Sequence, residues 1–277
     1  MTALALSLIL AGAAPNPPKT VDLTQQLLAS MTTTDRKTVQ DVMYYLSNPR
    51  SDRGAFWARQ QRFIEECMRR AGFHYNRMPY TPLTVDLTGG YQPTPHPGPP
   101  VTQQPLSADR NAAGFAQQAW RETYSNSRTQ VTFDLPGGGQ GGSVTGGCLG
   151  ESLRRIYGAD LTPAIRADMV ITNLLPMIIK MTIGSDEVQQ ATRRWRQCIR
   201  TTFPAAKDTT KLRPSTTAAS PADGDCRRLT GLTAAYARRF PVTTHHVLRA
   251  HASVIADWYQ LQSASRHLVA ATTSRPG

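Results

Sequence analysis

Lysine is rare in this chain, and acidic residues are few. The lysines are Lys19, Lys37, Lys180, Lys207 and Lys211, so arginine carries almost all of the positive charge. Because 31 basic residues stand against 19 acidic ones, the formal net charge is +12 at pH 7. Such a balance favours acidic partners, such as phosphate polymers or anionic lipid surfaces. A basic composition without any particular partner is the alternative interpretation.

The short motifs that mark common catalytic, nucleotide and metal sites are absent from the sequence. There is no HExxH or CxxC spacing for zinc, no GxSxG nucleophile elbow, and no lysine of a phosphate-binding loop after the glycines at 137–142. Glu65 and Glu66 lie on an arginine-rich helix, where we expect solvated ion pairs and no acid–base couple. The sequence therefore predicts no catalytic residue, metal or cofactor. A hydrolase site assembled from distant residues stays open.

Long apolar runs are also scarce, and the first of the two lies at the amino terminus. Residues 1–13 are apolar and end in Ala-Gly-Ala, a small-residue pattern that signal peptidase reads. This pattern predicts a signal peptide cleaved before Ala14, and hence a secreted or envelope-facing protein. No lysine or arginine precedes Lys19, so the positively charged start of a typical signal is missing. A buried amino-terminal helix is the alternative.

The second apolar run covers residues 161–183. It approaches the length of a membrane span, but polar residues and a proline interrupt it. These interruptions are Asp168, Asn173, Pro176 and Lys180. We therefore predict that this run forms a core helix and not a membrane span.

The remaining periodicities predict helices joined by loops that are rich in proline and glycine. We expect helices over residues 34–46, 56–72, 107–124, 147–158, 185–200, 225–239 and 244–271. Strands over 129–135 and 143–145 are expected to form one small β-hairpin. Eight prolines exclude helix and sheet interior from the loop over 76–106. The predicted fold is mainly α, a single bundle-like domain over residues 14–277.

The helix that begins near Phe56 has clear local signals at both of its ends. Ser51 or Asp52 can cap its start by accepting a hydrogen bond from an N–H of the first turn. Gly72 can adopt the left-handed conformation that ends a helix. We expect Phe73 and Tyr75 to fold back from this glycine onto the apolar stripe of the helix.

Four cysteines in an exported chain predict two disulfides, which can be paired in three ways. Cys67 and Cys198 both lie late on arginine-rich helices, whereas Cys148 and Cys226 both lie at the start of a helix. Because the same late-to-early arrangement occurs twice, we predict the pairs Cys67–Cys148 and Cys198–Cys226. A metal site is the alternative, although no CxxC spacing supports it.

Four ordered motifs resemble those of a family of uncharacterised actinobacterial exported proteins. They are CMxxxGFxY at residues 67–75, GC…YG at 147–158, WxxC at 195–198 and DxxCxxxTGL at 223–232. The resemblance covers most of residues 55–270. It implies an exported helical fold with a long helical carboxyl terminus, and it implies no catalytic residue or activity.

Arginines cluster around the second and third cysteine helices. The candidate anion-binding residues are Arg154, Arg155, Arg193, Arg194 and Arg196. Guanidinium groups bind phosphate or carboxylate in a bidentate way, so these side chains could form an anion-binding face. Solvated surface charge is the alternative.

Three histidines in the carboxyl-terminal region also suggest a metal or catalytic site. His245 and His246 are adjacent on a helix and point about 100° apart, so they cannot easily chelate one ion together. His251 falls on an apolar stripe with Val247 and Val254, which predicts a structural core histidine.

These observations predict an exported, non-catalytic binding or accessory protein of the cell envelope. Its partner would be a protein or an anionic envelope component, and no specific nucleic acid is expected. The alternatives are a secreted hydrolase whose site is not visible as a motif, and a basic protein that binds an anionic polymer or a membrane surface.

Overall fold

The computed structural model describes residues 23–83, 86–87, 113–126, 128–135, 139–202 and 221–273. The predicted signal peptide at 1–13, most of the proline-rich loop and the loop over 203–220 lie outside the described residues. Within them the fold is mainly helical, with one two-stranded antiparallel hairpin and two disulfides. The predicted fold class is therefore confirmed.

Ten helices and two strands make up the described part of the chain. The helices are α1 Leu23–Ala29, α2 Thr33–Ser47, α3 Asp52–Arg70, α4 Ala113–Tyr124, α5 Gly147–Tyr157, α6 Thr162–Gly184, α7 Asp186–Thr202, α8 Pro221–Thr230, α9 Leu232–Ala250 and α10 Ala252–Thr273. The strands β1 Gln130–Asp134 and β2 Gln140–Val144 pair with Val131 opposite Ser143.

Helix α6 is the centre of the larger hydrophobic core. Its buried residues include Ile171, Leu174, Leu175 and Ile178, all fully shielded from solvent. It packs against α2, α7, α9 and α10. Among the described helices only α6 has the length and hydropathy of a membrane span, and half of its most apolar window is buried within the fold. The prediction of a core helix agrees with this packing.

A second, smaller core lies around the end of α3. Ile64, Met68, Tyr75, Trp120 and Cys148 form it, and all five are buried. Burying aromatic rings of this size supplies most of the stabilisation that a small cluster can offer. This cluster therefore joins α3, α4 and the start of α5.

The local signals at the ends of α3 act as predicted. The Ser51 hydroxyl accepts a hydrogen bond from the Gly54 N–H and donates one to the Tyr45 carbonyl. Gly72 has a φ of 82°, and the Phe73 N–H after it donates to the Met68 carbonyl over 2.9 Å. The chain thus turns back, and Tyr75 is buried.

Both predicted disulfides are confirmed. Cys67–Cys148 joins α3 to α5, and Cys198–Cys226 joins α7 to α8. The first lies at the smaller core, whereas the second lies at the edge of the larger one. Each disulfide therefore fixes a different pair of helices.

The described start of the proline-rich loop follows the surface and is anchored at defined points. The Leu83 N–H donates to the Leu46 carbonyl over 3.0 Å, and the Tyr236 hydroxyl donates to the Leu87 carbonyl over 2.7 Å. Leu83 and Leu87 are both buried in the larger core. This part of the loop is therefore ordered and packs against the helices.

The carboxyl-terminal helices begin and end at other places than predicted. The helix expected over 225–239 already begins at Pro221 and stops at Gly231, whose φ of 69° is left-handed. Pro241 does not end a helix, since it lies inside α9. The chain bends instead at His251, between α9 and α10. Tertiary packing of α9 against α6 and α7 outweighs the helix-breaking effect of the proline.

His251 is half-buried at this bend and does not lie in the core as predicted. Burial lowers its pKa below the ordinary value of 6.5, and the positive charge of Arg166 lowers it further. The unfolded chain therefore binds a proton at a higher pH than the folded chain does. The stability that neutral His251 contributes is present above pH 6.5 and is lost as the pH falls through its folded pKa.

We expect His251→Leu to unfold less readily in acid than the wild-type protein does, relative to their stabilities at pH 7.5. Urea unfolding at pH 7.5 and 5.5 measures the difference, with the exposed His246→Leu as control. An equal loss of stability in the wild type and in His251→Leu would show that His251 does not cause the acid sensitivity.

Candidate functional site

Arg154 and Arg155, two of the predicted anion-binding residues, make contacts within the fold. Arg154 donates to the Thr145 carbonyl over 3.0 Å, at the end of the hairpin. Arg155 donates to the Glu66 carboxylate over 2.8 Å, and its guanidinium lies 4.1 Å from the centre of the Phe63 ring. Both side chains therefore connect α5 to neighbouring elements. Glu66 forms the solvated ion pair that the sequence predicted.

The other three predicted arginines lie on α7. Arg193 and Arg194 are exposed, and Arg196 is half-buried, with an Nε atom that is buried and has no hydrogen-bond partner. Helix α7 packs mainly against α8 and α9, whereas α5 packs mainly against α3 and α4. The two groups of arginines thus lie on helices with different packing partners. Their binding of an anion stays a prediction.

Histidine does not form a metal site in the described part of the chain, where no cluster of three metal-ligating side chains occurs. The His245 Nδ1 atom lies 3.0 Å from Oδ2 of Asp35 and so links α9 to α2. His245 therefore contributes to the contact between α9 and α2.

One polar site that sequence reasoning missed is a cavity of about 200 Å³ between α2, α3, α5 and α6. We call it the Arg53 cavity. Its lining is Tyr45, Arg53, Phe56, Trp57, Gln60, Ser143, Leu149, Leu153, Tyr157, Ala164, Ile165 and Asp168. Mostly apolar and aromatic walls with a few convergent polar groups are typical of small-ligand sites.

Helical periodicity brings these side chains to one place. Helix α3 contributes residues at positions 53, 56, 57 and 60, which lie on one face of a helix. Helix α5 contributes positions 149, 153 and 157 by the same spacing. The Cys67–Cys148 disulfide joins these two walls covalently.

A polar cluster lies inside the Arg53 cavity. The Tyr45 hydroxyl donates to Oδ1 of Asp168 over 2.8 Å, and Nε of Arg53 lies 3.6 Å from the same oxygen. That second distance is an ion pair but is too long for a hydrogen bond. The Nη1 atom of Arg53 is buried and has no hydrogen-bond partner. Asp168 therefore balances the positive charge of Arg53, but the guanidinium is incompletely hydrogen-bonded.

The pKa values of Tyr45, Tyr157 and Arg53 are shifted by burial and by the charge of Asp168. Burial raises the pKa of Tyr45 and of Tyr157, and the negative charge of Asp168 raises both further. Both hydroxyls therefore stay protonated at physiological pH. Burial opposes the charged form of Arg53, but Asp168 and two nearby tyrosines outweigh it, and the net pKa shift is upward. The cavity thus holds one fixed cation and one carboxylate.

The lining of the Arg53 cavity supports binding better than catalysis. Asp168 is its one carboxylate, and neither histidine nor cysteine is among the lining residues. Glycoside hydrolysis by the usual route needs two carboxylates, and a serine nucleophile needs a base within hydrogen-bond reach. The Ser143 hydroxyl donates weakly to the Val144 carbonyl over 3.4 Å. No acid–base pair is assembled from these side chains.

Two larger depressions are lined in part by charges that already have partners. One lies beside α8 and α9, where Arg228 pairs with Asp225 and Arg238 pairs with Glu187. The other lies beside α2 and α10, where Lys37 pairs with Asp41. Paired and solvated charges gain little from a ligand. The Arg53 cavity is therefore the stronger candidate site.

One signal in the sequence pointed towards this site. Asp168 interrupts the most apolar run of the chain, and a carboxylate in such a run needs a partner or a function. Its partners Tyr45 and Arg53 lie more than 110 residues away in sequence, so they could not be named from local pattern.

No protein-family model matches this chain, and neither a curated protein nor a solved structure matches it. The function of this chain is therefore inferred from the geometry of the Arg53 cavity and the chemistry of its lining.

Proposed function

We propose that this chain is an exported, non-catalytic binding protein of the cell envelope that holds a small ligand in the Arg53 cavity. The observation that carries the proposal is the incompletely hydrogen-bonded guanidinium of Arg53, beside Asp168, in a cavity whose walls are mostly apolar. A buried polar group without a partner costs stability, and a ligand that completes its hydrogen bonds recovers this cost.

The rigidity of the cavity supports the same proposal. Its walls α3 and α5 are joined by Cys67–Cys148, and α6, which forms the third wall, lies at the centre of the larger core. A site whose walls are already fixed loses little conformational entropy when a ligand binds. The Arg53 cavity is therefore suited to binding a small ligand.

Export is supported by the cysteines and by the amino-terminal segment. Two disulfides are compatible with an oxidising compartment outside the cytoplasm. The apolar segment 1–13 fits a signal peptide, and the resemblance to exported actinobacterial proteins points in the same direction. Fractionation of producing cells tests the location.

A second candidate function is binding to an anionic polymer or membrane surface. Arg193 and Arg194 are exposed on α7, and no acidic side chain of the described residues pairs with them. Together with the net charge of +12 they favour an anionic partner. Binding of this kind would weaken steeply with salt, because it is driven by released counterions.

The proposed function predicts that filling the cavity abolishes ligand binding. Ala164 is buried in the cavity wall, so Ala164→Met places three additional heavy atoms at the ligand site. The control is Ala159→Met, the same change at an exposed position in the turn after α5. We expect a library of small metabolites to contain a compound that raises the Tm of the wild type and of Ala159→Met but not of Ala164→Met. A ligand at 100 times its Kd stabilises by about 2.7 kcal/mol, which thermal unfolding detects.

The outcomes of this experiment distinguish the candidate functions. A thermal shift that survives Ala164→Met would place the ligand outside the Arg53 cavity and contradict the proposal. Salt-sensitive binding of polyphosphate by all three proteins would favour the second candidate. Turnover of any library compound by the purified protein would refute the non-catalytic assignment.

A further inference from the structure

We infer that the ligand of the Arg53 cavity is an uncharged ring with neighbouring hydroxyl groups, which is the chemistry of a single sugar unit. This inference rests on the proposed function and specifies its ligand. It follows from the charges, the hydrogen-bonding groups, the walls and the size of the cavity.

The charges of the cavity disfavour a charged ligand. Arg53 and Asp168 lie 3.6 Å apart and cancel each other. A carboxylate that approaches Arg53 also meets the like charge of Asp168, and an ammonium group that approaches Asp168 also meets Arg53. In addition, a charged ligand loses its hydration on entering. A neutral ligand avoids both the repulsion by a like charge and the loss of hydration of a charged group.

The hydrogen-bonding groups favour a ligand that donates and accepts at adjacent atoms. Arg53 can only donate, and its Nη1 atom lacks an acceptor. Asp168 can only accept, and its side chain is 40% exposed, so a ligand can reach it. A hydroxyl group does both, and two neighbouring hydroxyls can accept from Arg53 and donate to Asp168 at once. For the first of these bonds the guanidinium must rotate, because Nη1 is buried at present.

The walls and the size of the cavity fit one sugar ring. Aromatic side chains line it, and these can contact the C–H faces of such a ring: Tyr45, Phe56, Trp57 and Tyr157. Gln60 and Ser143 add an amide and a hydroxyl for further hydrogen bonds. A volume of about 200 Å³ lies below the usual range of drug-sized pockets, so the cavity holds one ring and not a longer chain.

The first test compares probes that share one ring and differ in charge. They are D-glucose and N-acetyl-D-glucosamine, which are neutral, D-glucuronate, which is an anion, and D-glucosamine, which is a cation at pH 6. Saturation-transfer NMR and calorimetry measure their binding to the full chain. We expect a neutral sugar to bind and both charged sugars to bind at least tenfold more weakly.

The second test uses variants on one helix. Arg53→Met removes the unpartnered donor, and we expect it to weaken binding of the neutral sugar at least tenfold. Arg62→Met makes the same change at an exposed position of α3 and should leave the affinity unchanged. Because Arg53→Met leaves Asp168 without its cation, the double variant Arg53→Met/Asp168→Leu removes both charges and keeps the test valid if the single variant unfolds. Circular dichroism confirms folding.

Several outcomes would overturn the inference. One is tighter binding of D-glucuronate than of either neutral sugar, and another is full affinity of Arg53→Met. If no sugar binds while a metabolite that Ala164→Met excludes does bind, the sugar inference fails and the proposed function stands. If no compound shows cavity-dependent binding, both fail.

Discussion

Removal of the Cys67–Cys148 disulfide, by the double substitution Cys67→Ala/Cys148→Ala, is expected to destabilise the protein by about 4.5 kcal/mol. The bridge closes a loop of 81 residues, and the chain-entropy model assigns a loop of this length a cost of that size. The free energy of unfolding in urea, measured without reductant, gives the loss directly.

The matched control is the other disulfide. Cys198→Ala/Cys226→Ala opens a loop of 28 residues, for which the same model gives about 3.6 kcal/mol. Removal of the Cys67–Cys148 disulfide, which closes the longer loop, should therefore lower the free energy of unfolding more than removal of Cys198–Cys226. The smaller core around Tyr75 and Trp120 should also loosen first in the Cys67→Ala/Cys148→Ala variant, because that disulfide lies within it. A larger loss from the shorter loop would contradict the entropic explanation.

The second large effect is expected at a buried ion pair on α8. Nε of Arg227 donates to Oδ1 of Asp223 over 2.9 Å, and both side chains are less than 10% exposed. The Trp195 indole N–H donates to the same oxygen over 2.8 Å. Asp223→Ala leaves a buried cation and an indole donor without their acceptor. We expect a loss of about 3 to 5 kcal/mol, measured by urea unfolding.

Helix α8 offers its own control for this prediction. Asp225 pairs with Arg228 on the same helix, but both side chains are more than 60% exposed. Asp225→Ala should therefore cost less than about 1 kcal/mol. The double variant Asp223→Leu/Arg227→Met should lose less than Asp223→Ala, since it leaves no buried charge unpaired. Equal losses from Asp223→Ala and Asp225→Ala would show that burial of the pair does not matter.

The sequence alone determined those features that depend on neighbouring residues. Ser51 and Gly72 mark the ends of α3, because a capping hydroxyl and a left-handed glycine act within a few residues. The disulfide pairing also followed from local context, since each cysteine lies at a particular end of its helix.

Local rules failed where tertiary contacts opposed them. The predicted helices over 225–239 and 244–271 left a break around Pro241, yet α9 continues through this proline, and Phe240 beside it is fully buried in the larger core. Packing of that kind can offset the hydrogen bond that a proline removes. The expected core position of His251 was wrong for a related reason, because the bend between α9 and α10 leaves this side chain half-exposed.

The candidate site was decided by the tertiary structure. Asp168 was visible as a carboxylate in an apolar run, but its hydrogen bond from Tyr45 spans 123 residues of sequence. Such a contact depends on how α2, α3 and α6 cross, and crossing angles are set by the packing of whole helix faces. The sequence therefore specified most of the helices and the disulfides between them, and only the packing of the helices brought an arginine, a carboxylate and four aromatic rings around one cavity.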